Sequence, residues 1–126
     1  MLHINVICVG KIKESFFRDA ILEYSKRLSR FCNLTITELQ DEKISEKASE
    51  KIEQEIKEKE GQNIISHIKK DSYVIALDLT GKELDSVALS QKIENLSISN
   101  SSITFIIGGS LGLSKQVLNY CNEKLC

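Results

Sequence analysis

Three features of the sequence predict an α/β fold with a mostly parallel sheet flanked by helices. First, Ser72-Tyr73-Val74-Ile75-Ala76-Leu77 and Ile103-Thr104-Phe105-Ile106-Ile107 are nearly continuous apolar runs rich in β-branched residues. That composition suits strands buried on both faces. Second, these runs alternate with segments of helical periodicity, an order that implies right-handed crossovers between parallel strands. Third, glycines punctuate the strand ends, at Gly10, Gly81 and Gly108-Gly109. A chain of 126 residues has room for a single domain, spanning 1–126.

Taken in order, Leu2 to Val9 reads as the first strand, closed by Gly10. From Glu14 to Phe31 the residues Phe16, Phe17, Ala20, Ile21, Tyr24 and Leu28 recur at three- and four-residue steps, which predicts a helix with one apolar face. Leu34 to Leu39 alternates apolar and polar, as in a strand with one wet side. Asp41 to Glu60 carries eight acidic residues and five lysines, with like positions four apart. An apolar stripe from Ile44 and Ala48 through Ile52, Ile56, Ile64, Ile65 and Ile68 predicts a helix from about 44 to Lys69, with Gly61 as its weak point. After the strand at 72–77, Asp78-Leu79-Thr80-Gly81 forms a turn. Ser86 to Leu96 is a helix capped by Asp85 or Ser86, and Ser114 caps a last helix through Asn122.

Composition narrows the function classes. Seventeen Lys+Arg against eighteen Asp+Glu leave a net charge of -1, which excludes a polybasic coat for nucleic acid. Basic residues are concentrated locally, six against three acidic between Lys11 and Arg30, a pattern that a solvated helix face also explains. No apolar stretch approaches a membrane span and the N-terminus lacks a signal-peptide pattern, so the expected location is the cytoplasm. Cys8, Cys32, Cys121 and Cys126 form no C-x-x-C pair, and with only His3 and His67 beside them no metal site is expected. Cys8 reads as a small buried hydrophobe. Cys121 and Cys126 are expected to be exposed thiols.

Ligands of open parallel sheets bind beyond the carboxyl ends of the strands. Two such ends stand out: Leu77-Asp78-Leu79-Thr80-Gly81 and Ile107-Gly108-Gly109-Ser110-Leu111-Gly112. Glycines there admit a ligand to the backbone, and free amides ahead of the Ser114 helix suit an anionic group. The spacing is neither a Rossmann fingerprint nor a P-loop. On residue chemistry alone, the turn serves tight packing as readily as ligand binding. The acidic run 41–60 reads as a solvated helix surface, His67 as a helix-surface histidine, and no nucleophile–base pair is visible.

Five segments then occur together in one order: Val9-Gly10-Lys11-Ile12-Lys13-Glu14, Glu23-Tyr24-Ser25-Lys26-Arg27-Leu28, Lys57-Glu58-Lys59-Glu60-Gly61-Gln62, Ala76-Leu77-Asp78-Leu79-Thr80-Gly81-Lys82 and Phe105-Ile106-Ile107-Gly108-Gly109-Ser110-Leu111-Gly112-Leu113. Together they closely resemble the ribosomal RNA large-subunit methyltransferase H family, of the SPOUT (α/β-knot) class. The resemblance spans essentially the whole chain. It implies transfer of a methyl group from S-adenosyl-L-methionine to N3 of a pseudouridine in large-subunit (23S) ribosomal RNA, on assembled ribosomes. A cytoplasmic homodimer without metal or membrane association would carry out the reaction.

Carried over residue by residue, the resemblance makes Leu77 and Gly108 cofactor contacts, with Gly109 close by. Lys11, Lys13 and the basic helix would face ribosomal RNA. The family threads a final strand and helix through a loop to form its knot. The sequence ends at Leu125-Cys126, so the knot strand and helix are expected to be missing, with Val117, Leu118 and Leu125 partly uncovered. No catalytic residue is assigned. The alternative is a non-catalytic remnant that binds cofactor or a partner at most.

Overall fold

The β-branched runs become strands where the sequence places them. In the computed structural model, which describes residues 1–126, β1 spans His3–Val9, β2 Asn33–Leu39, β3 Tyr73–Lys82, β4 Ser102–Ile107 and β5 Glu123–Leu125. They are joined by α1 (Ser15–Leu28), α2 (Glu50–Ser66), α3 (Ser86–Ser99) and α4 (Lys115–Tyr120). The strand order is β2-β1-β4-β3-β5, and every neighbouring pair is parallel. The α/β class with a parallel, helix-flanked sheet is therefore as the sequence implies.

Alternation along the strands sends side chains to two cores. Val74 and Ala76 of β3, with Ile7 and Ile106, pack against Ile64 of α2 and Val117 of α4. Ile75 and Ile103 point to the other face, where Leu89, Ile93 and Leu96 of α3 cover them. Both central strands are buried on both sides, which is why their sequences show no polar alternation. Register fixes the geometry at the carboxyl end. Cys8 of β1 and Leu77 of β3 both lie opposite Ile107 of β4, so three strands end side by side.

Helix limits follow from caps. The helix predicted from about 44 begins at Glu50 instead, because the Ser49 side chain accepts the Ile52 N–H at 3.3 Å and satisfies the first turn. It ends at Ser66, short of Lys69. Asp85 caps α3 by accepting the Ala88 N–H at 2.7 Å. The aromatic face of α1 is a larger departure. No residue of α1 is buried; Phe16 and Tyr24 are more than half exposed, and beyond the helix Phe31 is 75% exposed. An apolar groove of about 430 Å³ stays open between α1 and α3, bordered by Leu28, Phe31 and Leu89.

The C-terminal segment corrects two expectations. The last helix ends at Tyr120, not Asn122, and Glu123–Leu125 adds to the free edge of β3. Asn122 secures this switch, its backbone N–H donating to Val74 O at 2.8 Å and its side-chain Oδ1 accepting the Val74 N–H at 2.7 Å. Val117 and Leu125, expected to be uncovered, are buried, and Leu118 packs against the core. The reason is pairing across the chain: β3 accepts β5 as a neighbour, and α4 lies on α2. Strand β3 also runs on past the predicted end at Leu77. Leu125 pairs with both Leu77 and Lys82, so the intervening Asp78–Gly81 bulges out of the ladder.

Candidate functional site

Beyond Ile107 the chain makes a compact turn before α4. The Gly112 N–H donates to Gly109 O at 3.0 Å, and Gly112 takes φ +79°, a left-handed conformation that glycine adopts without a Cβ penalty. Ser114 then caps α4 by accepting the Val117 N–H at 3.2 Å while itself fully buried. A Cβ on Gly108 would lie 2.9 Å from Gly112 C and 3.0 Å from Leu113 Cδ2, so the turn closes only because that atom is missing. Gly109 faces elsewhere. Its absent Cβ points at Val9 Cγ1, 3.2 Å away, and at Glu60 Oε1, 3.5 Å away, so the underside of the turn rests on β1 and α2.

The upper side of the turn lines a cleft of about 540 Å³, within the ordinary range for small-ligand sites. Leu77, Gly108 and Gly109, the three site residues predicted from sequence, all border it. The bulge after Leu77 forms the opposite wall through Asp78 and Leu79, while Leu125 and Cys126 close one end. Leu77, Leu79 and Ile107 expose apolar surface at the strand ends. Asp78 supplies charge at the rim: its carboxylate accepts the Thr80 N–H at 3.1 Å and also the Thr80 hydroxyl. Those bonds, the hydroxyl above all, hold its pKa below the ordinary 3.8, and Lys124 and Lys57 act in the same direction. Apolar walls, exposed backbone and one ionised carboxylate suit a ligand with a flat apolar ring and a charged tail.

The other sequence candidates lie outside this cleft. His67 caps the end of α2, its Nδ1 within 2.8 Å of Asn63 O, as a helix-surface histidine does. No cluster of three or more His, Cys, Asp or Glu is placed to hold a metal ion. No helix is long and apolar enough to cross a membrane. Two contributors were missed from sequence. Leu125 and Cys126 reach the cleft only through β3–β5 pairing, which has no local signature. Glu60 was absorbed into the solvated acidic run, yet it is only 7% exposed; its place beside Gly61 in the Lys57–Gln62 segment was the available clue.

The four cysteines are free and differ in exposure. Cys126 is exposed, whereas Cys121, predicted to be exposed, is half-buried against the core, and burial pushes its thiol up to about 11. Cys8 is also raised, chiefly by burial and secondarily by Glu38. A raised pKa leaves less thiolate at any pH below it, and the thiolate is the nucleophile. At pH 8, iodoacetamide is expected to label the exposed Cys126 first and Cys121 far more slowly. Equal labelling rates by peptide mass spectrometry would contradict the burial of Cys121.

Comparison with known proteins places this architecture. A family model described as "Predicted SPOUT methyltransferase" matches residues 2–126. A protein of Clostridium beijerinckii named "Ribosomal RNA large subunit methyltransferase H" is 57% identical over 126 residues, covering 99% of this chain and 79% of the relative. Proteins of the same name from Clostridium acetobutylicum and Clostridium novyi are each 55% identical, covering 99% and 98% of the chain respectively and 79% of each relative. With its parallel sheet and strand-end glycine turn, the chain belongs to the SPOUT methyltransferase family.

Proposed function

We propose that this protein methylates N3 of a pseudouridine in large-subunit ribosomal RNA, with S-adenosyl-L-methionine as methyl donor, as a cytoplasmic homodimer acting on the ribosome. Residues 1–126 act as one SPOUT domain in this reading. The observation that carries it is the convergence of Leu77, Gly108 and Gly109 on one cleft, in a chain 57% identical to a relative named as a ribosomal RNA methyltransferase.

The residues fit such a cofactor. Leu77, Leu79 and Ile107 offer apolar surface for an adenine ring and exclude water from it. The Gly108–Gly109 segment borders the cleft in a turn that closes tightly for want of a Cβ on Gly108, and Asp78, ionised at neutral pH, adds a negative charge at the rim. When bound, the cofactor supplies an activated methyl group that carries its own leaving group. The protein's share is then to orient cofactor and acceptor and to exclude competing water. Lys11 and Lys13, just before α1, and Arg18, in its first turn, are exposed and offer positive charge to phosphates.

The test pairs calorimetry with S-adenosylhomocysteine and tritiated methyl transfer onto ribosomes that lack the modification. The expected result is binding together with incorporation at the pseudouridine N3. Binding without incorporation would favour a non-catalytic, cofactor-holding protein, and incorporation at another atom would overturn the assigned acceptor.

A further inference from the structure

Glu60 stands apart from the other acidic residues of α2. It is 7% exposed, and none of the ion pairs in the molecule includes it. A carboxylate out of water without a cation is costly unless N–H donors surround it. One donor is present, because Oε2 accepts the Glu42 N–H at 3.1 Å. The other oxygen, Oε1, makes no hydrogen bond within the protein, keeps a little contact with water, and lies 3.5 Å from the Cβ position of Gly109, beneath the turn that lines the cleft. Glu60 therefore sits under two strand-end segments, those after β2 and β4. A third adjoins them, since the Gly10 N–H beyond β1 donates to Leu39 O at 2.7 Å.

The geometry points to Glu60 as a positioning residue for the glycine turn, its free oxygen accepting a backbone N–H of Gly109 or Ser110 when a ligand fills the cleft above. Building on the cofactor reading of that cleft, this assigns coupling between ligand and scaffold to one buried carboxylate. Both oxygens are needed, one for Glu42 and one for the turn. Glutamine has the same shape but offers one acceptor and one donor. In Glu60→Gln the amide oxygen can keep the Glu42 N–H, while its NH₂ would meet the turn donor to donor.

Hydrogen exchange of the Gly109 and Ser110 amides and calorimetry with S-adenosylhomocysteine test this on the whole chain, as wild type and Glu60→Gln. In the wild type the ligand is expected to slow exchange at these amides at least about tenfold. In Glu60→Gln that slowing is expected to vanish and Kd to rise about tenfold, with melting close to wild type. Unchanged Kd and unchanged protection in Glu60→Gln would overturn the role. Should Glu60→Gln not fold, Glu60→Asp, too short to reach both segments, replaces it with the same expected losses. If the wild type binds no S-adenosylhomocysteine, the cofactor reading fails on its own. Ligand-free exchange then decides Glu60: faster at 109–110 in the variant supports the role, and equal rates refute it.

Discussion

Gly61→Ala is expected to destabilise the protein by about 1–3 kcal/mol, the range for overpacking a well-filled interior. In an isolated helix the same change would stabilise by about 1 kcal/mol, since alanine is the best helix former and glycine among the worst. The sign therefore reports tertiary contact. A Cβ at Gly61 would lie 2.5 Å from Ser114 Oγ and 3.0 Å from Val117 Cγ2. Both residues are buried, at 1% and 0% exposure. Ser114 can withdraw only by giving up the Val117 N–H that caps α4, a bond worth about 1 kcal/mol. Urea unfolding should show a lower midpoint with an unchanged slope. Adding Ser114→Ala removes the oxygen in the way, so the double variant should lose less than the sum of the single ones. A Gly61→Ala protein at least as stable as wild type would refute this packing.

Gly108→Ala is expected to weaken binding of S-adenosylhomocysteine at least tenfold, about 1.4 kcal/mol. The backbone of Gly108 is not left-handed, so an alanine is not penalised by its own dihedrals. The penalty is contact. The new methyl would lie 2.9 Å from Gly112 C and 3.1 Å from Gly112 O, and neither is a side chain that can rotate aside. The turn must open, and the wall of the cleft moves with it. Global stability should fall less than in Gly61→Ala, because the turn borders the cleft while Gly61 lies at the contact of α2 with α4. Calorimetry on a variant with a near-native melting curve separates the effects. Unchanged affinity would mean that the turn does not shape the ligand site.

Much of this was legible beforehand because it is written locally. The buried runs at 72–77 and 103–107, the glycines that follow them and the cap at Ser114 each depend on neighbours within a few residues. The two loops of the cleft followed from a general rule, that ligands of parallel sheets gather at the strand carboxyl ends, and the three residues that the family resemblance implied border one cleft there. The errors have a shared origin. Cys121, Val117, Leu118 and Leu125 are expected to be uncovered if nothing meets the end of the chain, but a three-residue strand against β3 buries Leu125, and the packing of α4 on α2 buries Val117. The aromatic stripe of α1 had the period of a core helix, yet Phe16, Phe17 and Tyr24 remain largely in solvent. Periodicity fixes which residues share a helix face; it does not state what that face meets.

The sequence by itself determined the order of the first four strands and the helices between them, the parallel class and the two strand-end loops that line one cleft, since backbone propensity and hydrophobic period act over a few residues. Tertiary structure alone decided that Gly61 is a contact point and not a weak turn of helix. It also decided that Glu60 leaves the solvated acidic face to lie beneath the glycine turn, and that β5 pairs along the outer side of β3. Those outcomes depend on groups distant in sequence being pressed together. Burial and close approach are properties of the assembled layers, and no local pattern encodes them.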